Sequence, residues 1–256
     1  MPYTSDLAAL LIHTHHELHL EDIPFWVELV QEHGAPVLEL GCGTGRVLTR
    51  LVGEGYHTVG LDFDLGMLNR LRMEWPAHLT TKPKVFQADF SSFNLGLSFG
   101  VICLPCNTLT VLPASRRYAL FRRVHHHLKP GGCFAFSLPN PGLINSLPTR
   151  GEPEMEELFS HPIDQEPVQV SSSWVKEASR ITLSWHYDHL QPDGTVTRTT
   201  ISTTHEFVSH EELILELAAS GLSITASYGD FDLSPFTNDS PHLILVTTHS
   251  KPYVPQ

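Results

Sequence analysis

The sequence predicts an α/β fold built on a doubly wound parallel sheet, and three observations carry that prediction. Short apolar runs alternate with helix-period stretches between residues 36 and 138. The first run, Val37-Leu-Glu-Leu40, empties into a glycine turn, Gly41-Cys-Gly-Thr-Gly45. The next two runs end on acidic residues, Asp62 and Asp89. Alternation of this kind argues for strands covered by helices on both faces.

Each element has its own local reason. Ser5 to Leu18 sets Leu7, Leu10, Leu11 and Leu18 roughly on one side of a helix. Glu21-Asp22 ahead of Pro24 opens a second helix running to about His33. Strands are predicted at 36–40, 57–62, 84–88, 99–105 and 132–138, with helices between them at about 45–54, 65–75 and 114–128. Lys129-Pro-Gly-Gly132 stops the last of these helices and starts the fifth strand. After Ser137 the rhythm breaks. Residues 139–167 are proline-rich and carry Glu152, Glu154, Glu156 and Glu157, which predicts a surface excursion. Segments 168–178, 181–190 and 195–207 read as strands, the last two joined by a hairpin turn at Gln191-Pro-Asp-Gly194. A helix at 209–220 and strands at about 222–228 and 242–248 follow. The predicted division is 1–34, 35–140, 141–207 and 208–256.

Composition excludes several classes. The chain has 256 residues, 41% hydrophobic and 17% charged, enough apolar content for a sizeable core. Formal net charge is −12, and the nearest thing to a basic cluster (Arg116, Arg117, Arg122, Arg123, Lys129) fits one solvated helix. No nucleic-acid partner is expected. No segment approaches the roughly 18 apolar residues of a membrane span. Met1 to Asp6 lacks the basic start of a secretory leader, so the expected address is the cytoplasm, with no membrane partner. Cys103-Leu-Pro-Cys106 has the spacing of a redox or zinc pair. Cys133, however, begins its strand at the opposite edge of the sheet from Cys42 and Cys106, so no metal site is expected.

The strand ends carry the chemistry. Glycines bring bare backbone close to a ligand, and the carboxylate of Glu39 suits a cationic ligand group better than a phosphate. A dinucleotide fingerprint needs Gly-x-Gly-x-x-Gly; here Gly41, Gly43 and Gly45 are followed by Arg46 and Val47, so the third spacing fails. Asp62, at the tip of the second strand, can accept from both hydroxyls of a ribose, with Phe63 placed to flank an adenine. Asp64 suits the N-cap of the following helix. Asp89, after the third strand, can accept from an adenine amino group while Phe90 packs nearby; an Asx turn is its structural alternative.

In this order, Glu39-Leu-Gly-Cys-Gly-Thr-Gly-Arg46, Gly60-Leu-Asp62 with Met67-Leu68, Ala88-Asp89 and His127-Leu-Lys-Pro-Gly-Gly132 resemble the class I S-adenosylmethionine-dependent methyltransferases of small-molecule type. The resemblance covers about residues 20–140 and implies a Rossmann-like seven-stranded sheet in the order 3-2-1-4-5-7-6 with the seventh strand antiparallel. It makes 1–34 a helical lid, 35–140 the core that binds S-adenosylmethionine, 141–207 an antiparallel β insertion for the acceptor pocket or a dimer contact, and 208–256 the closing helix and hairpin. It implies that Gly41, Gly43 and Glu39 shape the methionine end of the cofactor and that Arg46 meets its carboxylate. Asp62 then serves the ribose, and Asp89, Phe90 and Met67 the adenine, with Leu104 and Asn107 beside the sulfonium. The family pattern often has Phe-Asp where this chain has Phe99-Gly100, far from the ligand.

The implied function is methyl transfer to a nitrogen or oxygen of a small molecule by in-line displacement, in which alignment and exclusion of water are the protein's main tasks. The alternatives are a non-catalytic cofactor-binding protein of the same fold and a nicotinamide-dependent oxidoreductase. Asn107 to Leu112, where some sugar-amine members of the family carry a histidine, contains none; the candidate catalytic residues are His13 and His16 on the lid, Asn107, and Tyr187. Trp185, Tyr187 and His189 are candidates to line the acceptor pocket, while His125 to His127 end a helix and read as structural. A homodimer through strands 168–207 stands as an expectation, since exposed strands need covering.

Overall fold

The structure, a computed structural model, describes residues 5–250; the expectations placed on 1–4 and 251–256 lie outside the described residues. Helices α1 (Asp6–His16) and α2 (Ile23–His33) precede the alternating core. The core runs β1 (Val37–Leu40), α3 (Arg46–Gly53), β2 (Thr58–Asp62), α4 (Leu65–Met73), β3 (Lys84–Gln87), β4 (Phe99–Leu104), a 3₁₀ turn at Thr108–Val111, α5 (Ala114–His127) and β5 (Leu128–Pro139). Then come α6 (Pro141–Ser146) and four strands, β6 (Arg150–Ser160), β7 (Pro167–Lys176), β8 (Arg180–Leu190) and β9 (Val196–Glu206). Helix α7 (His210–Ala219) and strands β10 (Leu222–Tyr228) and β11 (His242–His249) complete the chain.

Seven strands form one sheet in the order β10-β11-β5-β4-β1-β2-β3, with β11 antiparallel to β5. This is the expected 3-2-1-4-5-7-6 order. Strand alternation divides its side chains between two cores. Leu38, Leu40, Ile102, Leu104, Phe134 and Phe136 pack with α5 and α7. Val37, Val101, Cys103 and Ala135 pack on the other face with Phe25, Trp26, Leu29 and Val30 of α2 and Val47 and Leu51 of α3. Helix α2 is therefore a sheet-covering element, and α1 lies over the glycine loop, with His13 meeting Thr44.

The second sheet is an antiparallel meander, β6-β7-β8-β9. Its last hairpin, between β8 and β9, closes where the Gln191-Pro-Asp-Gly194 turn predicts, with the Gln191 N–H donating to the Thr195 carbonyl. Residues 139–167 correct the sequence reading, because α6 and an eleven-residue strand replace the expected excursion. Pro153 hid the strand. Proline is tolerated here because β6 is an edge strand whose register shifts between Gly151 and Glu154. The outward face is a ladder of polar pairs, Thr182 with Thr204, Ser184 with Ser202 and His186 with Thr200. No helix among the described residues is long and apolar enough to cross a membrane.

The Phe99-Gly100 departure also has a structural reason. A Cβ at Gly100 would stand 2.0 Å from the Gly34 carbonyl oxygen, where the chain between α2 and β1 crosses β4. Gly100→Asp is expected to lower the unfolding free energy by about 3 kcal/mol, the upper end of ordinary overpacking. Urea unfolding checks it.

Candidate functional site

The site is the space above the carboxyl ends of β1, β2 and β4, roofed by α1. Gly41, Gly43 and Gly45 all have positive φ (67°, 52° and 91°), which fixes glycine at each. Their surroundings differ. A Cβ at Gly41 would meet Thr108 Cγ2 at 2.8 Å, and one at Gly45 would meet Leu71 Cδ1 at 1.9 Å. At Gly43 the nearest atom is Met67 Cε at 4.0 Å. Neighbouring side chains leave no room for a Cβ at Gly41 or Gly45, whereas Gly43 has open space with Met67 beside it.

Glu39 faces the α2/α3 side of β1 by alternation and is almost fully buried. Its Oε2 has no hydrogen-bond partner. Burial pushes its carboxyl well above the usual range, and the nearby Asp22 and Asp62 push the same way, against Arg46. A buried, unpartnered carboxylate oxygen beside the glycine loop fits a cationic ligand group.

Arg46 corrects the sequence reading. Both of its terminal nitrogens bond the carboxylate of Asp22, Nη2 at 2.7 Å from Oδ2. Nη1 also donates to the His19 carbonyl at 2.7 Å, and Nη2 to Cys106 Sγ at 3.0 Å. Against its burial, Asp22 and Cys106 hold the guanidinium charged. It organises the wall of the site and leaves its Nη donors occupied. Asp22 also accepts from Trp26 Nε1 at 2.8 Å and makes no helix-capping bond.

Asp62 accepts from the backbone N–H of Gly43 (2.7 Å) and of Asp64 (2.8 Å), tying the second strand to the glycine loop. Burial raises its pKa despite these donors. Phe63 beside it is half exposed, and Asp64 caps α4 by accepting from Gly66 and Met67. Asp89 forms the alternative Asx turn, accepting from the Ser91 N–H (2.9 Å) and hydroxyl (2.7 Å), and pairs with Arg116. Partial burial works against ionisation there, and the Arg116 and Ser91 donors hold the carboxyl below its ordinary value. Two expected ligand contacts turn away from the cleft. Phe90 and Leu104 are buried in the core on the α5 side, Leu104 because it alternates with Cys103 along β4.

Helix α1 brings His13 over the loop, its Nδ1 3.1 Å from Thr44 Oγ1. His16 is held down to about 3 by burial and by the neighbouring His15 and Arg46, which makes it a poor base. Tyr187 is fully buried and meets His15 Nδ1 through its hydroxyl at 3.1 Å. Burial raises its pKa, so it stays a neutral phenol.

A cavity of ≈ 380 Å³ lies between the end of β5, α6 and the inward face of the second sheet. Leu138, Ile144, Trp174, Ile181 and Leu183 give it an apolar wall, and Asn107, His205 and Glu206 are among its polar lining. Trp185, Tyr187 and His189, expected here, are elsewhere. Trp185 and Tyr187 lie further along the same face of β8 against His15, and His189 pairs with Asp164.

His205 is the residue sequence reading missed. The Thr110 hydroxyl donates to the Asn107 carbonyl at 2.6 Å, so its oxygen accepts from His205 Nδ1–H at 2.7 Å. Nε2 is left as the basic nitrogen. Burial lowers the ring's pKa, so it is neutral at neutral pH. His205 closes a Thr-rich strand, where nothing in the sequence marked it. Cys106 is exposed with positive φ, and none of the four cysteines is in a disulfide.

A glycine loop after the first strand, acidic second and third strand ends and a 3-2-1-4-5-7-6 sheet define the class I S-adenosylmethionine-dependent methyltransferase fold. Residues 37–132 match the methyltransferase domain family. The chain is 23% identical to a cypemycin N-terminal methyltransferase from Streptomyces, over 83% of this chain and 82% of that protein. An S-adenosylmethionine-dependent methyltransferase from Clostridium acetobutylicum superposes with a TM-score of 0.80 at 16% identity, covering 94% of this chain and 98% of the other. CalS10, an amino pentose methyltransferase from Micromonospora echinaspora solved with its cofactor bound, gives 0.73 at 16% identity, covering 98% and 99%. Residues 37–132 thus carry the match to the methyltransferase domain family, and the fold around them is the one these solved methyltransferases share.

Proposed function

We propose that this protein moves a methyl group from S-adenosylmethionine to an amine nitrogen of a small, largely apolar molecule held in the cavity beneath the second sheet. One observation carries the reading: Asn107 lines that cavity and its neighbour Thr108 packs on Gly41 of the glycine loop, so donor cleft and acceptor cavity meet at one turn of the chain. The relatives support methyl transfer over the oxidoreductase and the non-catalytic alternatives. Those named for amino-sugar and N-terminal substrates support an amine acceptor.

The cofactor supplies, when bound, an activated methyl on a positively charged sulfur. Glu39 and the open backbone at Gly43 would hold its amino-acid end, Asp62 its ribose, and Phe63 and Met67 would flank its adenine. The apolar wall excludes water and orients the acceptor. An amine that arrives protonated must shed a proton before its lone pair can attack, and His205 Nε2 is the neutral acceptor for it. Glu206 gives the incoming cation a favourable wall.

Isothermal titration with S-adenosylhomocysteine and a radiolabelled methyl-transfer screen over amines and alcohols test the reading. Failure to bind would sink it, and transfer confined to alcohols would reject the amine. His205→Ala is expected to lower kcat about 100-fold. The acid limb of kcat should lie below the ordinary histidine value of about 6.5 and disappear in the variant. An unchanged rate and limb would remove His205 from the mechanism. The dimer proposal is tested by light scattering; a monomer at all concentrations rejects it.

A further inference from the structure

We propose that His15, His19 and Glu157 form a site for a divalent transition-metal ion, of the zinc type, that fastens α1 to the second sheet. One ligand atom from each of these three side chains lies within 4.8 Å of the other two. His19 Nε2 stands 3.0 Å from Glu157 Oε1. The rings of His15 and His19 are 5.3 Å apart at 70°, an arrangement that lets two imidazole planes cross at one ion. His15-x-x-x-His19 is also a ligand spacing that zinc sites use.

The outer partners point the same way. A metal-bound imidazole is normally held by a hydrogen bond to its other nitrogen. His15 Nδ1 is 3.1 Å from the Tyr187 hydroxyl, which frees Nε2 as ligand. Tyr187 is buried in a cluster with Leu11, Phe159, Val168 and Val170, so it holds that ring firmly. His19 Nδ1 stands 3.8 Å from Glu21 Oε1, with Nε2 turned to Glu157. Two imidazoles and one carboxylate suit zinc and its neighbours better than calcium or magnesium, and they leave a position open.

A second cluster provides the contrast. His161, Asp164 and His189 also gather ligand atoms, but the two rings are stacked 4.1 Å apart at 18°. An ion must lie near the plane of each imidazole that binds it, and nearly parallel planes do not meet at one point. That cluster is a pair of histidines sharing a carboxylate.

Glu157 comes from β6 and the histidines from α1 and the turn after it. An ion there would join the helix over the glycine loop to the sheet that walls the acceptor cavity. The site stands apart from methyl transfer and does not depend on the acceptor.

The test uses the untagged full chain, stripped with chelator and titrated with zinc sulfate against a chromophoric zinc indicator. One equivalent should bind at micromolar Kd or tighter. His19→Ala and Glu157→Gln, both at partly exposed positions, should each weaken binding at least tenfold. The paired variant His161→Ala, His189→Ala should bind as the parent does. Cobalt loading should give a spectrum without thiolate charge-transfer bands, which excludes Cys106 as ligand. Absence of stoichiometric binding, parental affinity in His19→Ala and Glu157→Gln, loss in the paired variant, or thiolate bands would each overturn the site.

Discussion

Asp22→Ala is expected to lower the unfolding free energy by about 3–5 kcal/mol, the usual result of stripping the partner from a buried charge. The Arg46 and Asp22 side chains are only 9% and 7% exposed, so water cannot replace the lost carboxylate. Arg46 would keep its bonds to the His19 carbonyl and Cys106, yet neither carries a formal charge to match it. The Trp26 indole N–H would lose its acceptor too. Urea denaturation measures the loss. Replacing both partners, Asp22→Leu with Arg46→Met, should recover most of it, because the burden lies in the orphaned charge rather than in the absent bond. A double variant as unstable as the single one would show that the guanidinium's bonds to His19 and Cys106 matter more than charge pairing. Either variant should also weaken S-adenosylhomocysteine binding, since the pair ties the entry to α2 to the start of α3 at the glycine loop.

Glu39→Gln should weaken S-adenosylhomocysteine about ten- to a hundredfold, the equivalent of about 1.5–3 kcal/mol for a lost hydrogen bond to a charged group. The same change should stabilise the free protein at neutral pH. The sign follows from burial. The folded carboxyl sits well above its unfolded value, so between the two values the native state holds the extra proton. Stability therefore falls as pH rises through that window, and a neutral amide of the same shape avoids the loss. Ligand affinity runs the other way. A cationic amino group favours the ionised carboxylate, so binding should tighten as pH rises through the raised pKa and then level off, with proton release on binding. Calorimetry in buffers of different ionisation enthalpy detects that proton. Equal proton release in Glu39→Gln would assign it to another group.

The fold was legible wherever local pattern and tertiary environment agree. Buried parallel strands read as apolar runs, and their ends showed in Gly41 and Asp62; β5 differs, because it begins at Leu128 and takes in Lys129 to Gly131, which the sequence placed ahead of it. Strand β6 was illegible because a sequence cannot reveal which strand becomes an edge that tolerates Pro153. At the site, residue types were legible and their partners were not. Arg46 looked free for a ligand because nothing links it to Asp22 until α2 packs on the sheet. Phe90 and Leu104 sat at the right chain positions, yet their side chains face the α5 side. His205 is brought to Thr110 only by the return of a hairpin, a contact across 95 residues that no local spacing encodes.

Strand β8 presents Ile181 and Leu183 to the cavity and Trp185 and Tyr187 to α1, all on one face. Because side chains on a strand recur every second residue, the two tasks occupy adjacent pairs of positions without sharing any. On the proposed function, substitutions in the first pair would change which molecules the cavity holds, while the second pair keeps α1 over the glycine loop. On that reading, new acceptor preferences are reachable by single substitutions within one strand, without rebuilding the part of the molecule that would hold the cofactor.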